Sequence, residues 1–219
     1  MNFEPEAESS ELKNAEKAPD CEIKLSQWEG LCDWPIVFGN PNPLEIEIGC
    51  GRGMFIIKSA RENPGMNYLG IEMSARFFRM LKERVQKSVA QKNIRIIKGE
   101  AGFILKKFVP GNSVAAVHIY FPDPWPKKRH WKRRLINSGF VESVRCALVP
   151  GGQLCMATDF QDYFDEMLLA AGACSGLEQI ARQECAPHET EPEKAATSYE
   201  RKYLIQGRVI YKATYRKNS

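Results

Sequence analysis

LEIEIGCGRGMF, residues 44–55, alternates apolar and acidic side chains over its first five positions and then sets three glycines two apart. Period-two alternation over Leu44–Ile48 reads as a β-strand that ends at Gly49. Residues from Met54 to about Arg61 read as a helix, stopped by Asn63-Pro64-Gly65. A strand that passes through a glycine turn straight into a helix is the opening unit of an α/β sheet.

The same pattern recurs downstream. Asn67–Glu72, Asn93–Lys98 and Val114–Phe121 read as strands, and the last is nearly all apolar, as a strand buried on both faces requires. Ser74 is placed to cap a long helix with Phe77, Leu81 and Val85 on its buried face, and Gly102–Phe108 reads as a short helix before Pro110-Gly111-Asn112. A helix is expected from about Trp131 to Leu148, followed by Pro150-Gly151-Gly152 and a strand to Thr158. Phe160–Ala171 reads as helix, Cys185–Ser198 as a long polar loop, and Glu178–Arg182 and Leu204–Tyr215 as the closing strands. Alternation at this spacing predicts an α/β three-layer sheet with right-handed crossovers. Residues 1–20 are polar and acidic and are expected to form a disordered tail, with 21–219 as a single domain.

Charge is distributed unevenly. The formal net charge is +4, yet Lys127–Arg134 alone carries six positive residues, which leaves the rest of the chain near −2. A local excess of this kind suits docking of an anion rather than general adhesion. The seven cysteines are scattered with no CxxC pair, which argues for a reduced, cytoplasmic protein and against a disulfide scaffold or zinc site. The Glu-rich start lacks the apolar centre of a signal peptide, and no apolar run approaches the roughly 20 residues that cross a membrane.

The glycine turn discriminates among nucleotide ligands. A dinucleotide site wants G-x-G-x-x-G, but residue 54 is Met; the spacing is instead ExGxGxG, from Glu47 through Gly49, Gly51 and Gly53. This resembles the first motif of class I methyltransferases that use S-adenosylmethionine. That cofactor has no phosphate to cradle, and its sulfonium and amine favour nearby carboxylates. Glu72 ends the second strand, where an acid can accept from both ribose hydroxyls, and Glu100 follows the third, where side chain and backbone can meet an adenine edge.

FPDPWPKKRHWKRR, residues 121–134, begins just beyond the fourth strand, where ligands of open α/β sheets bind. Pro122 and Pro124 fix φ on either side of Asp123 and push their preceding residues to extended geometry, so Asp123 is held in a narrow conformational range. ExGxGxG, Gly70-Ile71-Glu72, this segment, Thr158-Asp159 and Thr197-Ser198-Tyr199-Glu200 occur in order, and together they resemble the bacterial tRNA (guanine-N7-)-methyltransferase family from about residue 44 to the C-terminus. The resemblance implies a three-layer Rossmann-like class I methyltransferase fold, its sheet mostly parallel with an antiparallel C-terminal strand. It implies methyl transfer from S-adenosyl-L-methionine to N7 of a guanine in the tRNA variable loop, position 46. By motif position it assigns Glu47, Gly49, Gly51, Gly53, Glu72, Glu100 and Asp123 to the cofactor, with Asp123 also catalytic. Lys127, Asp159, Thr197, Ser198, Tyr199 and Glu200 would meet the substrate, and Arg129, His130, Trp131, Lys132, Arg133 and Arg134 the RNA. Family members commonly carry Asp where this chain has Glu100, and Trp131 occupies a variable place.

Other residues take plainer readings. His118 lies in an apolar strand and is expected to be a satisfied core group; His188 reads as loop surface. Cys50 needs only its small size to explain it, and Trp28 and Trp34 are expected to pack at the sheet edge. Tyr199 either stacks on a base or fills a gap. No residues have metal spacing, so no metal is expected, nor an obligatory protein partner; the chain is read as a monomer or homodimer. Alternatives are a class I methyltransferase on another RNA and an idle methyltransferase fold that binds RNA. A nicotinamide dehydrogenase stands further off, opposed by Met54 and the basic block.

Overall fold

The computed structural model describes residues 20–89, 91–187 and 191–219. The expected tail, apart from Asp20, and the reading of His188 lie outside the described residues. In chain order the elements are α1 (Trp34–Phe38), β1 (Leu44–Ile48), α2 (Met54–Glu62), β2 (Asn67–Glu72), α3 (Ala75–Gln86), β3 (Ile94–Lys98) and α4 (Ala101–Phe108). They continue as β4 (Val114–Tyr120), α5 (Ser138–Ala147), β5 (Leu148–Thr158), α6 (Gln161–Gly172), β6 (Leu177–Cys185), α7 (Ser198–Ile205) and β7 (Ile210–Lys217). The strands form one sheet in the order β3-β2-β1-β4-β5-β7-β6. β1 through β5 pair in parallel, while β7 runs antiparallel to both β5 and β6.

Helices cover both faces. α2 and α3 bury Ile56, Leu81 and Val85 against Tyr68, Ile94 and Ile96. α1, α4, α5 and α6 bury Trp34, Ile104, Val144, Phe164 and Met167 against Ile46, Ile71, Val117 and Leu154. Trp34 is buried in that core and Trp28 packs on it half-buried, as expected of the pair. Residues 21–23 bridge to β3 through Ile23 N–H to the Ile96 carbonyl at 2.9 Å, covering that edge. Because strand order reverses between β1 and β4, the crevice beyond their carboxyl ends is the topological site for a ligand.

Three expectations need correction. The helix expected from Trp131 to Leu148 begins only at Ser138, where Asn137 caps it by accepting from Phe140 N–H at 3.1 Å. Lys128–Arg133 forms a 3-10 turn instead, because Arg134 is drawn into the protein and breaks any continuous helix. The strand expected from Leu204 starts at Ile210, since Thr197 opens α7 and Gly207, at φ 72°, ends that segment. On α3 the buried face is Phe78, Leu81 and Val85, at three- and four-residue steps, and Phe77 turns toward the crevice.

Candidate active site

A cleft of about 1040 Å³ opens along the carboxyl ends of the parallel strands. Its wall brings together Gly49, Gly51, Glu72, Glu100, Asp123 and Tyr199 from five separate stretches of chain. Gly51 and Gly53, like Gly49 at φ 75°, are turn positions that tolerate no other residue easily. Both lie in the left-handed region, at φ 53° and 72°, and a Cβ on Gly53 would come within 2.3 Å of Leu81 Cδ1. A Cβ on Gly51 would stand 3.8 Å from the Tyr199 ring, so that ring lies directly beside the bare turn.

Glu72 organises the turn. One carboxylate oxygen accepts from Gly51 N–H at 2.9 Å and the other from Ser74 N–H at 2.7 Å, tying the glycine turn to the exit of β2. Each oxygen retains a further lone pair, and the residue remains on the cleft wall. Glu100 differs from expectation: its carboxylate accepts from Gly102 and Phe103 N–H at 2.7 and 2.6 Å and caps α4. The side chain is committed to the helix. Exposed Met73 and Phe103 line that end of the cleft and supply apolar faces the sequence did not announce.

Glu47 is not on the wall but buried behind the turn, beside His118 in the strand register. Burial raises its carboxyl to about 8, although the charge of His118 and the Ile56 backbone oppose the rise. Its Oε2 has no hydrogen-bond partner among the described residues. An orphaned buried acceptor behind a bare glycine turn fits a cationic, phosphate-free ligand such as S-adenosylmethionine. His118 is the satisfied core group expected: its ring nitrogens lie 3.0 Å from Tyr120 OH and from Glu45 Oε2. Burial works against its charge, yet hydrogen bonding to Cys155 and Glu45 prevails and raises it to about 9. The fold therefore holds a proton that the unfolded chain releases near the ordinary His value of about 6.5. The resulting stability is complete below that value and is lost as pH rises through 9. Thermal melts should show Tm falling across this window, with a shallower fall in His118→Gln; an unchanged slope would remove His118 as its source.

The FPDPW segment is held under strain. Phe121 and Trp125 both have positive φ, at 55° and 43°, which non-glycine residues rarely adopt. Between them Asp123 is presented, exposed, on the cleft wall. Phe121 N–H donates to the Ala157 carbonyl at 2.8 Å and fixes one end of the turn. Arg134 fixes the other: its Nε donates to the Pro124 carbonyl at 2.9 Å, Nη1 lies 2.7 Å from Glu166 Oε1, and the guanidinium sits 4.7 and 4.8 Å from the Trp131 and Tyr163 ring centres. With 4% exposure, Arg134 is withdrawn from the set expected to face RNA and serves as the fastener of the loop. Trp131, half-buried on Arg134, is withdrawn with it. Lys127, Lys128, Arg129, Lys132 and Arg133 are exposed, and among the described residues no carboxylate forms an ion pair with them. Arg133 lies 4.9 Å over the Trp125 ring, which His130 meets edge-on at 5.7 Å.

The expected substrate set divides. Thr197 caps α7 by accepting from Glu200 N–H at 3.0 Å, and buried Glu200 accepts from Ala196 N–H at 2.9 Å while pairing with Lys212. Both residues serve as scaffold in this arrangement; Ser198 is exposed and Tyr199 reaches the cleft. Asp159 is tethered by Arg208. Tyr203, absent from the sequence reading, joins Tyr199 and Phe121 in an aromatic cluster with ring centres 5.5 to 6.4 Å apart. Its four-residue spacing from Tyr199 is the signal that both occupy one helix face.

A family model described as a putative methyltransferase matches residues 41–213. The tRNA (guanine-N(7)-)-methyltransferase of Geobacter metallireducens is 39% identical over 187 residues, covering 85% of this chain and 88% of that protein. The corresponding protein of Lysinibacillus sphaericus is 36% identical over 181 residues, covering 82% of each. Among solved structures, a 16S rRNA methyltransferase superposes with a TM-score of 0.62 at 14% identity, covering 87% of this chain and 96% of that one, a likeness of fold.

Proposed function

The chain belongs to the tRNA (guanine-N(7)-)-methyltransferase family, and on that premise we propose that its cleft directs methyl transfer from S-adenosyl-L-methionine to N7 of the guanine at variable-loop position 46. The observation that carries the reading is the placement of Asp123, between two strained backbone positions, on the same wall as Gly49, Gly51 and Glu72. Glu72, the glycine turn and the backbone at Glu100 would hold the cofactor, with Glu47 behind the turn and the apolar faces of Met73 and Phe103 available to its adenine. When bound, the cofactor supplies an electrophilic methyl group on a sulfonium.

Guanine N7 has an in-plane lone pair and no proton, so attack on the methyl carbon needs neither a general base nor a metal. Positioning then contributes much of the rate. The purine gains positive charge as the bond forms, and Asp123 both orients the base through its N–H edge and favours that charge. Tyr199, beside Gly51, borders the base, and Lys127, Ser198 and Asp159 are the remaining candidates to meet the substrate. Action on tRNA supports a cytoplasmic location; separately, among the described residues no helix is long and apolar enough to cross a membrane.

The exposed cations from Lys127 to Arg133 bind tRNA phosphate, which supplies affinity and register. Four such contacts give a log–log salt slope for tRNA binding of roughly −3 to −4; a slope near zero refutes them. The reading as a whole is tested by methylating unmodified tRNA transcripts and mapping cleavage at 7-methylguanine. Product at another atom, or none, overturns it.

A further inference from the structure

We propose that tRNA is gripped by two phosphate-binding banks, the Lys127–Arg133 block and a second one formed by Arg201 and Lys202 of α7, next in sequence to the cleft residues Tyr199 and Tyr203. This rests on the tRNA methyltransferase reading and extends it to residues outside the motifs. α7 turns Leu204 and Glu200 inward and leaves Arg201 and Lys202 exposed. The neighbouring cations are already neutralised, Arg208 by Asp159 and Lys212 by Glu200. Arg201 and Lys202 have no ion-pair partner among the described residues.

Their surroundings repeat the chemistry of the first bank. Lys202 Nζ lies 5.4 Å from the Tyr203 ring centre and the Arg208 guanidinium 4.8 Å from it. In the first bank, Arg133 lies 4.9 Å from the Trp125 ring centre. An aromatic ring with a cation at its edge or face suits a nucleotide, whose base stacks while its phosphate meets charge. Trp125 and Arg133 line the same cleft as Tyr199 and Tyr203, with Asp123 also on its wall. A nucleotide seated at Asp123 carries its chain away through two phosphates, in 5′ and 3′ directions. One basic block accounts for only one of those arms.

The test is steady-state methylation of a full-length unmodified tRNA transcript at several salt concentrations by the whole chain carrying Arg201→Ala and Lys202→Ala. The expected effect falls on the tRNA KM, several-fold to about tenfold, with a salt slope shallower by roughly 1.4–1.8, two contacts at about 0.7–0.9 each. Lys202→Gln should show about half that slope change, which guards against a helix disturbed by the double substitution; S-adenosylhomocysteine calorimetry confirms the folded cleft. If KM and slope stay at wild-type values while Lys128→Ala/Arg129→Ala shifts both, the second bank is refuted and the tRNA reading stands. If the wild-type chain methylates no tRNA, both fall.

Discussion

Asp123→Asn should lower kcat on tRNA by roughly a hundredfold, the scale seen when one preorganised electrostatic group at a reacting centre is lost. The substitution keeps size, removes the negative charge and turns one of the two acceptor oxygens into an amide donor. Asp123 stands exposed on the cleft wall in the free protein, so water screens it there. Seating the guanine expels that water and strengthens its field at the moment the purine becomes positive. Asp123→Ala separates the two parts of the role. If Asn retains most of the rate and Ala does not, orientation through a single acceptor suffices; if Asn and Ala are equally slow, the full carboxylate, with its charge and both acceptor oxygens, is required. Near wild-type turnover by Asn and Ala alike, with normal tRNA binding, would remove Asp123 from the chemistry.

The second large effect is expected at Arg134, where position in the basic block and position in the fold point in opposite directions. Arg134→Ala loses a charged hydrogen bond to the Pro124 carbonyl and two ring contacts. Together these are worth about 3 kcal/mol, or about 6–12 °C in Tm for a chain of this size. Releasing Pro124 also frees Asp123 beside it, and a displacement of about 1 Å at a reacting centre costs on the order of a hundredfold in rate. Arg134→Lys should rescue little, since an ammonium cannot both lie flat between two rings and hold a carbonyl. The tRNA salt slope should stay at the wild-type value. A slope shallower by nearly one unit with unchanged Tm would return Arg134 to the RNA face.

Most of the sheet was legible from alternation or apolar runs punctuated by glycine turns: Leu44–Ile48 and Asn67–Glu72 lie where they were read, and the strand read as Val114–Phe121 ends one residue earlier, at Tyr120. The failures come from side chains whose partners are distant in sequence. Nothing local shows that Arg134 meets Tyr163 and Glu166 about thirty residues away, and without that the Lys/Arg run reads as helix. Thr197-Ser198-Tyr199-Glu200 was legible in a different sense. T-x-x-E is the signature of a capped helix start, and giving it wholly to substrate left α7 unread between an expected loop ending at Ser198 and a strand expected from Leu204. Tyr203 and the free cations beside it were hidden for the same reason. Asp123, Glu72 and the glycines are brought together because each ends a strand, which is the part of a site that topology alone can place. Glu100 also ends a strand and reaches the same wall, but its capping role depends on carboxylate geometry that spacing does not encode.

The two left-handed residues around Asp123 have a consequence for anyone wishing to make this protein hardier. Glycine at Phe121 or Trp125 would relieve backbone strain of roughly 1–3 kcal/mol per site, but it would also remove the contacts of Phe121 with Tyr199 and Tyr203 and of Trp125 with His130 and Arg133. Relaxing the turn also costs aim, because the same tension keeps the aspartate presented. Stabilisation by design should therefore leave residues 121–125 untouched and work on the far side of the sheet.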